Sequence, residues 1–364
     1  MDLEERSTVH GDGLVEKAAE RLDSADRLAA PQEEECSLVG EFSSRRWWTG
    51  PLGDDPVELL QAFLLESLLD DAVGRWQLVS VRSRDRTGAP SVWEVAGPAG
   101  HRWFAKRHWH TGRYRRETRA YDEFVPLLGA GRASRITRRV PEARLIVTRG
   151  LGGHPLREAQ LTDQQVPEVY RQAGVLAARL HALTATAPPG AGTSPAAWSA
   201  AWSAQRTKAL DTALDLGLPA DDLRVLAEAS AEPPPPLPVA VCHGDFGPRN
   251  WIVRQDGGLR LQLIDFERTR VEEPVRHDLM RIVYQVTAGR PALAEAFFDG
   301  YGRGLTEAEQ AACRAYAAID CPSALKWAAM HRDREVHGYA RRALDLLRAG
   351  VRARPSSSRS GGRD

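Results

Sequence analysis

An α+β fold in two lobes is what this sequence predicts: a small antiparallel-sheet lobe followed by a mainly helical one. Three observations carry that reading. Short β-leaning runs crowd the first half, and a glycine-rich step, RGLGGHP, separates them from long stretches at helical spacing. Later, two apolar runs flank Asp256-Gly257-Gly258, a strong hairpin signal within the helical half.

The elements follow in order. Residues 1–53 are acidic, polar and weakly periodic, as a flexible extension would be. Asp54-Asp55-Pro56 reads as a helix entry, and Leu59, Leu60, Phe63, Leu64 and Leu68 repeat at helical spacing through Leu69. WQLVSVRS, SVWEVAG and HRWFAKRHW are strands separated by turns, and RYRRETRAYDEFVPLL is a helix with Tyr114, Tyr121, Phe124 and Leu127 or Leu128 on one face. ARLIVT closes the first lobe, residues 54–149, before the glycine-rich step.

The second lobe, residues 150–350, opens with the amphipathic helix VPEVYRQAGVLAARLHAL. A linker, TATAPPGAGTSP, more helix and the proline run EPPPPLP precede the hairpin. After it, PALAEAFFDGYG, TEAEQAACRAYAAID and the stretch from Ser323 to Leu347 read as helices. The low-complexity tail, 351–364, reads as disordered.

Bulk properties exclude several classes. Lys+Arg and Asp+Glu both number 49, so no basic field draws the chain to nucleic acid or a lipid surface. No apolar run approaches the roughly 20 residues of a membrane-spanning helix. The acidic beginning lacks a hydrophobic signal core, and a cytoplasmic location is expected. Cys36, Cys242, Cys313 and Cys321 form no zinc pattern and are expected to be reduced, buried thiols.

The chemistry concentrates in residues 239–270. Folding back about Gly257 sets Asn250 opposite residue 264 or 265, beside Asp265, with the loop carboxylate of Asp245 just ahead of the same strand mouth. Two carboxylates and an amide converge there, a set of oxygen donors suited to Mg²⁺ carried on a polyphosphate.

His243-x-Asp245-x-x-x-x-Asn250, followed about fifteen residues on by Ile264-Asp265-Phe266-Glu267, resembles the aminoglycoside phosphotransferase and choline kinase family of the protein-kinase-like fold. Protein kinases usually carry Arg where Gly244 stands and Gly where Glu267 stands, and no Ala-Pro-Glu segment is present. The resemblance covers roughly residues 75–350. It implies a first lobe that binds nucleotide and a second that holds catalytic and acceptor sites. ATP or GTP is the implied donor, Mg²⁺ the implied metal, and a small-molecule hydroxyl the acceptor.

Residue by residue, it makes Asp245 the group that meets the acceptor hydroxyl, Asn250 and Asp265 the metal ligands, and His243 a brace. Lys106 becomes the partner of the α- and β-phosphates, with Glu117 holding it and Glu123 as the alternative. The backbone from Thr148 to Gly150 lies near the base. The loop SRDRTGAPS offers only Gly88 for covering phosphates, so no residue there is assigned. His181 reads as a packing histidine, Asp278 as a helix cap, and the basic run Lys326–Arg342 as a solvated face. Were that run to line the pocket, it would argue against a polycationic aminoglycoside.

Antibiotic inactivation is the first expectation for the acceptor (an aminoglycoside, nucleoside, peptide or macrolide). A sugar- or choline-like metabolite kinase is the alternative within the fold. A catalytically inactive nucleotide-binding regulator is the rival from another class.

Overall fold

A computed structural model describes residues 76–83, 91–97, 100–183 and 194–350, together with Leu69 and Val73. The expected extension 1–53, the tail 351–364, the loop 84–90, Cys36 and nearly all of the helix expected before residue 70 lie outside the described residues.

The first lobe is a five-stranded antiparallel sheet. Strands β1 (Gln77–Ser83), β2 (Ser91–Ala96) and β3 (Arg102–Arg107) form a meander, and β5 (Leu145–Arg149) pairs with β3 and carries β4 (Ile136–Val140) on its far edge, giving the order β1-β2-β3-β5-β4. Val95, Ala105, Val140, Leu145 and Val147 alternate into one face and close over Leu69. Helix α1 (Thr111–Glu123) crosses between β3 and β4. It ends before the RYRRETRAYDEFVPLL pattern does, because Pro126 tightens Val125–Leu128 into a 3₁₀ turn. That turn buries Leu128 and leaves Leu127 exposed.

Strand β6 (His154–Pro155) pairs with β8 (Trp251–Arg254), which pairs with β9 (Arg260–Leu263) in the hairpin read from Asp256-Gly257-Gly258. Its register sets Trp251 opposite Leu263, and Ile264 N donates to Asn250 O at 3.1 Å. Helix α2 (Gln165–His181) buries Val169, Tyr170, Ala173, Leu176, Ala177 and Leu180 as one stripe. Helices α3 (Pro195–Asp215) and α4 (Ala220–Ala229) lead to β7 (Ala240–Cys242), which pairs with β10 (Arg270–Glu272). Two π-helical turns, Val275–Leu279 and Ile282–Val286, then introduce α5 (Pro291–Tyr301), α6 (Glu307–His331) and α7 (Arg334–Ala349).

Two of these helices meet through glycine. A Cβ on Gly174 of α2 would stand 2.0 Å from Phe297 O, and one on Gly300 of α5 would stand 1.8 Å from Arg171 O. The backbones touch where both residues lack side chains.

One boundary differs from the sequence reading. The break expected between residues 320 and 323 is absent: α6 runs through Pro322. Proline removes one hydrogen bond, but this turn is packed between Cys321 and Leu325, both buried. The chain turns instead at Arg332, with φ of 54°, and Asp333 caps α7 by accepting from Glu335 N and Val336 N, 3.0 Å each.

Cys242, Cys313 and Cys321 are buried free thiols. Burial raises the pKa of all three, that of Cys321 to about 12. Among the described residues no helix is long and apolar enough to cross a membrane.

Candidate active site

The cleft between sheet and helices gathers most of the residues singled out from the sequence. Lys106 lies on β3, and its Nζ stands 2.9 Å from Glu117 Oε2 on α1, 2.6 Å from Asp265 Oδ1 and 3.2 Å from Glu267 Oε2. Burial alone would depress this ammonium, but the three carboxylates outweigh it and hold its pKa well above the ordinary value. His108, two residues on and just past the end of β3, stands 2.8 Å from the same Glu117 oxygen. Arg113 approaches Glu267 Oε1 at 3.3 Å, and Arg116 Nε donates to Glu267 O at 3.2 Å. Glu123, the alternative partner for Lys106, is exposed and paired with Arg119.

The catalytic-loop candidates follow β7. Gly244 has φ of 79°, and a Cβ there would sit 2.2 Å from Arg268 O, so only glycine lets the chain turn toward Asp245. Asp278, expected to cap a helix, does not do so. It lies buried in the first π turn and accepts from His243 N at 2.7 Å and Gly244 N at 2.9 Å, while His181 Nε2 sits 3.2 Å away. It therefore satisfies the backbone donors of the loop. Burial raises this carboxylate's pKa, but His181 and His243 prevail and leave it below the ordinary value.

His181 reaches from the end of α2, its Nδ1 lying 3.0 Å from Tyr301 Oη. The packing role read for it is refined into a link between α2, α5 and the loop. Asp245 N donates to His243 Nδ1 at 3.3 Å, which leaves Nε2 as the protonated nitrogen facing Ile264 O at 3.1 Å.

Asp245 is buried and gripped by two guanidiniums. Arg249 Nη2 stands 2.7 and 2.6 Å from its oxygens, and Arg281 Nη1 donates to Oδ1. Desolvation raises its pKa, yet Arg281, Arg249 and Arg268 drive it well below the usual carboxylate range. Asn250 donates its amide NH₂ to Asp245 O at 2.8 Å, which leaves its own oxygen available as a donor atom.

Asp265 has φ of 67°, an unusual conformation for a non-glycine residue, costing of the order of 1–3 kcal/mol. Burial raises its pKa, but Lys106 prevails and leaves it below the ordinary carboxylate value. One amide oxygen and one exposed-edged carboxylate at adjacent strand ends form a hard-oxygen set that fits Mg²⁺.

Thr148 and Gly150 lie at the end of β5, next to β3. Thr148 Oγ1 donates to Phe104 O at 3.4 Å, and Gly150 N donates to Arg102 O at 2.7 Å. Gly150 N–H is thus committed within the sheet, so the backbone atom of this residue left to meet a base is its carbonyl.

The solvated-face reading of Lys326–Arg342 holds for part of the run. Trp327 and His331 stack at 4.3 Å on an exposed stretch of α6, whereas Arg334 and Arg342 line a cavity of about 460 Å³.

Comparison with known proteins decides the family. The model of the phosphotransferase enzyme family matches residues 84–316. The chain belongs to the phosphotransferase enzyme family. It is accordingly a phosphotransferase with an alcohol group as acceptor.

Among solved structures, spectinomycin phosphotransferase in complex with ADP and spectinomycin aligns at a TM-score of 0.53 and 14% identity, covering 78% of this chain and 97% of its own. The GDP complex of an aminoglycoside 2'-phosphotransferase-IIIa aligns at 0.53 and 13% identity, covering 79% and 98%. Macrolide 2'-phosphotransferase from Brachybacterium faecium, as apoenzyme, is 18% identical over 78% and 97%, with a TM-score of 0.48. No curated protein sequence matches the chain significantly. The two-lobed kinase-like fold of this phosphotransferase matches the expectation from its sequence.

Sequence reasoning missed Glu267, His108, Arg249 and Arg281. His108 carried a signal, since it alternates with Lys106 in the β-leaning run HRWFAKRHW. Arg249 was overlooked although it stands only four residues after Asp245, whereas Arg281 carried no signal, because its meeting with Asp245 depends on how the π turns pack against the loop.

Proposed function

We propose that this phosphotransferase is a small-molecule kinase that moves the γ-phosphoryl group of ATP or GTP onto a hydroxyl, with Asp245 facing that hydroxyl. The observation that carries the reading is a single convergence. Lys106 meets Asp265 at 2.6 Å on one side of the hairpin mouth, while Asn250 meets the Asp245 backbone at 2.8 Å on the other.

Lys106, aimed by Glu117 and Glu267, would neutralise the α- and β-phosphates. Asn250 and Asp265 would hold Mg²⁺, which when bound spreads the charge of the polyphosphate. Of the two Asp265 oxygens it is Oδ1 that faces Lys106. Asp245 is ionised at neutral pH and is a weak base while two arginines hold it, so its first task is to orient the hydroxyl. In a loose phosphoryl-transfer transition state the proton leaves late, and positioning carries most of the rate. The bond from Pγ to the β,γ-bridging oxygen breaks, the bond to the acceptor oxygen forms, and the hydroxyl proton passes to Asp245 as the nucleoside diphosphate departs. An antibiotic and a sugar- or choline-like metabolite are the acceptor classes considered, and cytoplasmic action suits either.

The test is Mg-dependent transfer from ATP and GTP to a panel of hydroxyl compounds, with mass spectrometry of the product. Asp245→Asn is expected to lower kcat by several orders of magnitude while nucleotide still binds. An unchanged kcat would remove Asp245 from the reaction. Nucleotide binding without transfer to any acceptor would favour the regulator instead.

A further inference from the structure

The cavity beside the catalytic loop differs in charge from a site for cations. Its walls are Ala288 and Arg290, which follow the second π turn, and Arg334, Glu335, Tyr339 and Arg342 along one face of α7. About 460 Å³ is the size of a small-molecule site. Three guanidiniums face one carboxylate, and that carboxylate is already engaged, since Tyr339 Oη donates to Glu335 Oε1 at 2.7 Å. Arg342 lies 4.9 Å over the Tyr339 ring, which fixes its plane, and its Nε is buried without a hydrogen-bond partner. Arg334 is exposed and makes no ion pair among the described residues. Arg290 Nη2 donates to Val286 O, which tethers it to the π turn.

The cavity is connected to the site already described. Glu335 is close enough to Arg249 to help raise its pKa, and Arg249 holds Asp245. Arg281, the second arginine on Asp245, sits just before the π turn that leads to Ala288 and Arg290. The second π turn also packs on the loop itself, since a Cβ on Gly247 would stand 3.8 Å from Arg281 Cδ and 3.9 Å from Val286 Cγ2, so the two arginines at Asp245 and the three at the cavity flank the same turn.

We propose that this cavity seats the acceptor, and that the acceptor bears an oxyanion, a carboxylate or a phosphate, held by Arg334 and Arg342 while its hydroxyl points to Asp245. The inference rests on the kinase reading of the site around Asp245. Arginine is the side chain suited to planar, two-pronged recognition of such groups. A polycationic acceptor would have to desolvate its ammonium groups against three guanidiniums.

The experiment uses the full chain with Mg-ATP and Mg-GTP and matched acceptor sets: hydroxy-carboxylates, phosphate monoesters of polyols and sugars, their neutral esters or unphosphorylated parents, and aminoglycosides. The first two sets distinguish a carboxylate from a phosphate. Wild-type protein is expected to favour an anionic member over its neutral partner by about tenfold or more in kcat/KM, one charge-assisted contact's worth. Arg334→Gln and Arg342→Gln are expected to collapse that ratio toward one, with nucleotide affinity and melting temperature showing that the variants are folded. Asp245-dependent transfer to neutral or cationic acceptors as fast as to anionic ones, with the ratio unmoved by either variant, overturns the oxyanion and leaves the kinase standing. Failure to phosphorylate any member while nucleotide binds overturns both.

Discussion

At the scale of single residues, Lys106 shows how far function and stability share the same atoms. Its ammonium is the counter-charge for Glu117 and Glu267, both buried, as well as for Asp265. Lys106→Ala is therefore expected to weaken nucleotide binding and also to destabilise the fold, by about 3–5 kcal/mol, as breaking a buried ion pair does. Urea unfolding beside a nucleotide titration checks both, and an unchanged midpoint would mean the cage is not structural. The positions of Lys106, Glu117, Asp245, Asn250 and Asp265 were legible because strand order, motif spacing and one hairpin are local information. Glu267 was visible only as a family marker, since its approach to Lys106 spans the two lobes. Asp278 was misread because Asp before an apolar helical run carries the same local signal whether it caps its own helix or another segment's backbone.

At the scale of elements, the crossing of α2 and α5 is the sharpest constraint. Gly300→Ala puts a methyl group where Arg171 O stands and is expected to cost about 1–3 kcal/mol, as overpacking does. Gly112→Ala in α1 meets nothing nearer than Arg116 Nη1 at 3.6 Å and is expected to stabilise slightly, by about 0.5–1 kcal/mol. Thermal melts of the two variants, run side by side, should move in opposite directions; a harmless Gly300→Ala would mean the helices are free to part. The long helices, the first three strands and the hairpin could be read from periodicity. Strand β4 could not, because ITRRV places three outward residues on an edge and shows little alternation. The end of α6 was also hidden, since Pro322 gave a false stop and the true one depends on Arg332 adopting a left-handed turn.

At the scale of the whole molecule, charge sets the pH range of the fold. Asp245, Asp265 and Asp278 all have depressed pKa values, so their contribution is complete above the unfolded value of about 3.9 and is lost as pH falls through the folded values. Lys106 is raised, so its contribution is complete below about 10.4 and is lost as pH climbs through its folded value. Melting temperature is therefore expected to be nearly flat between about pH 4 and pH 10 as far as these groups decide it, with a fall on either side. Asp278→Asn should make the acid limb shallower. An acid limb of unaltered slope would show that this carboxylate adds nothing on folding. The division into a sheet lobe and a helical lobe was legible in the sequence; the gathering of arginines within the helical lobe was not, because it is assembled from a loop, the π-helical segment and α7.

The hairpin that joins Asn250 to Asp265 has its working ends at one extremity and its exposed tip, residues 255–258, at the other. Length at that tip is thus uncoupled from the spacing of the ends, because the paired strands fix it. A short flexible peptide grafted between Gly257 and Gly258 should leave turnover within about twofold of the parent, a tolerance typical of exposed loop tips. The tip is accordingly the place to attach a reporter dye to this enzyme, and a graft that abolished turnover would show that the strands do not insulate the ends from it.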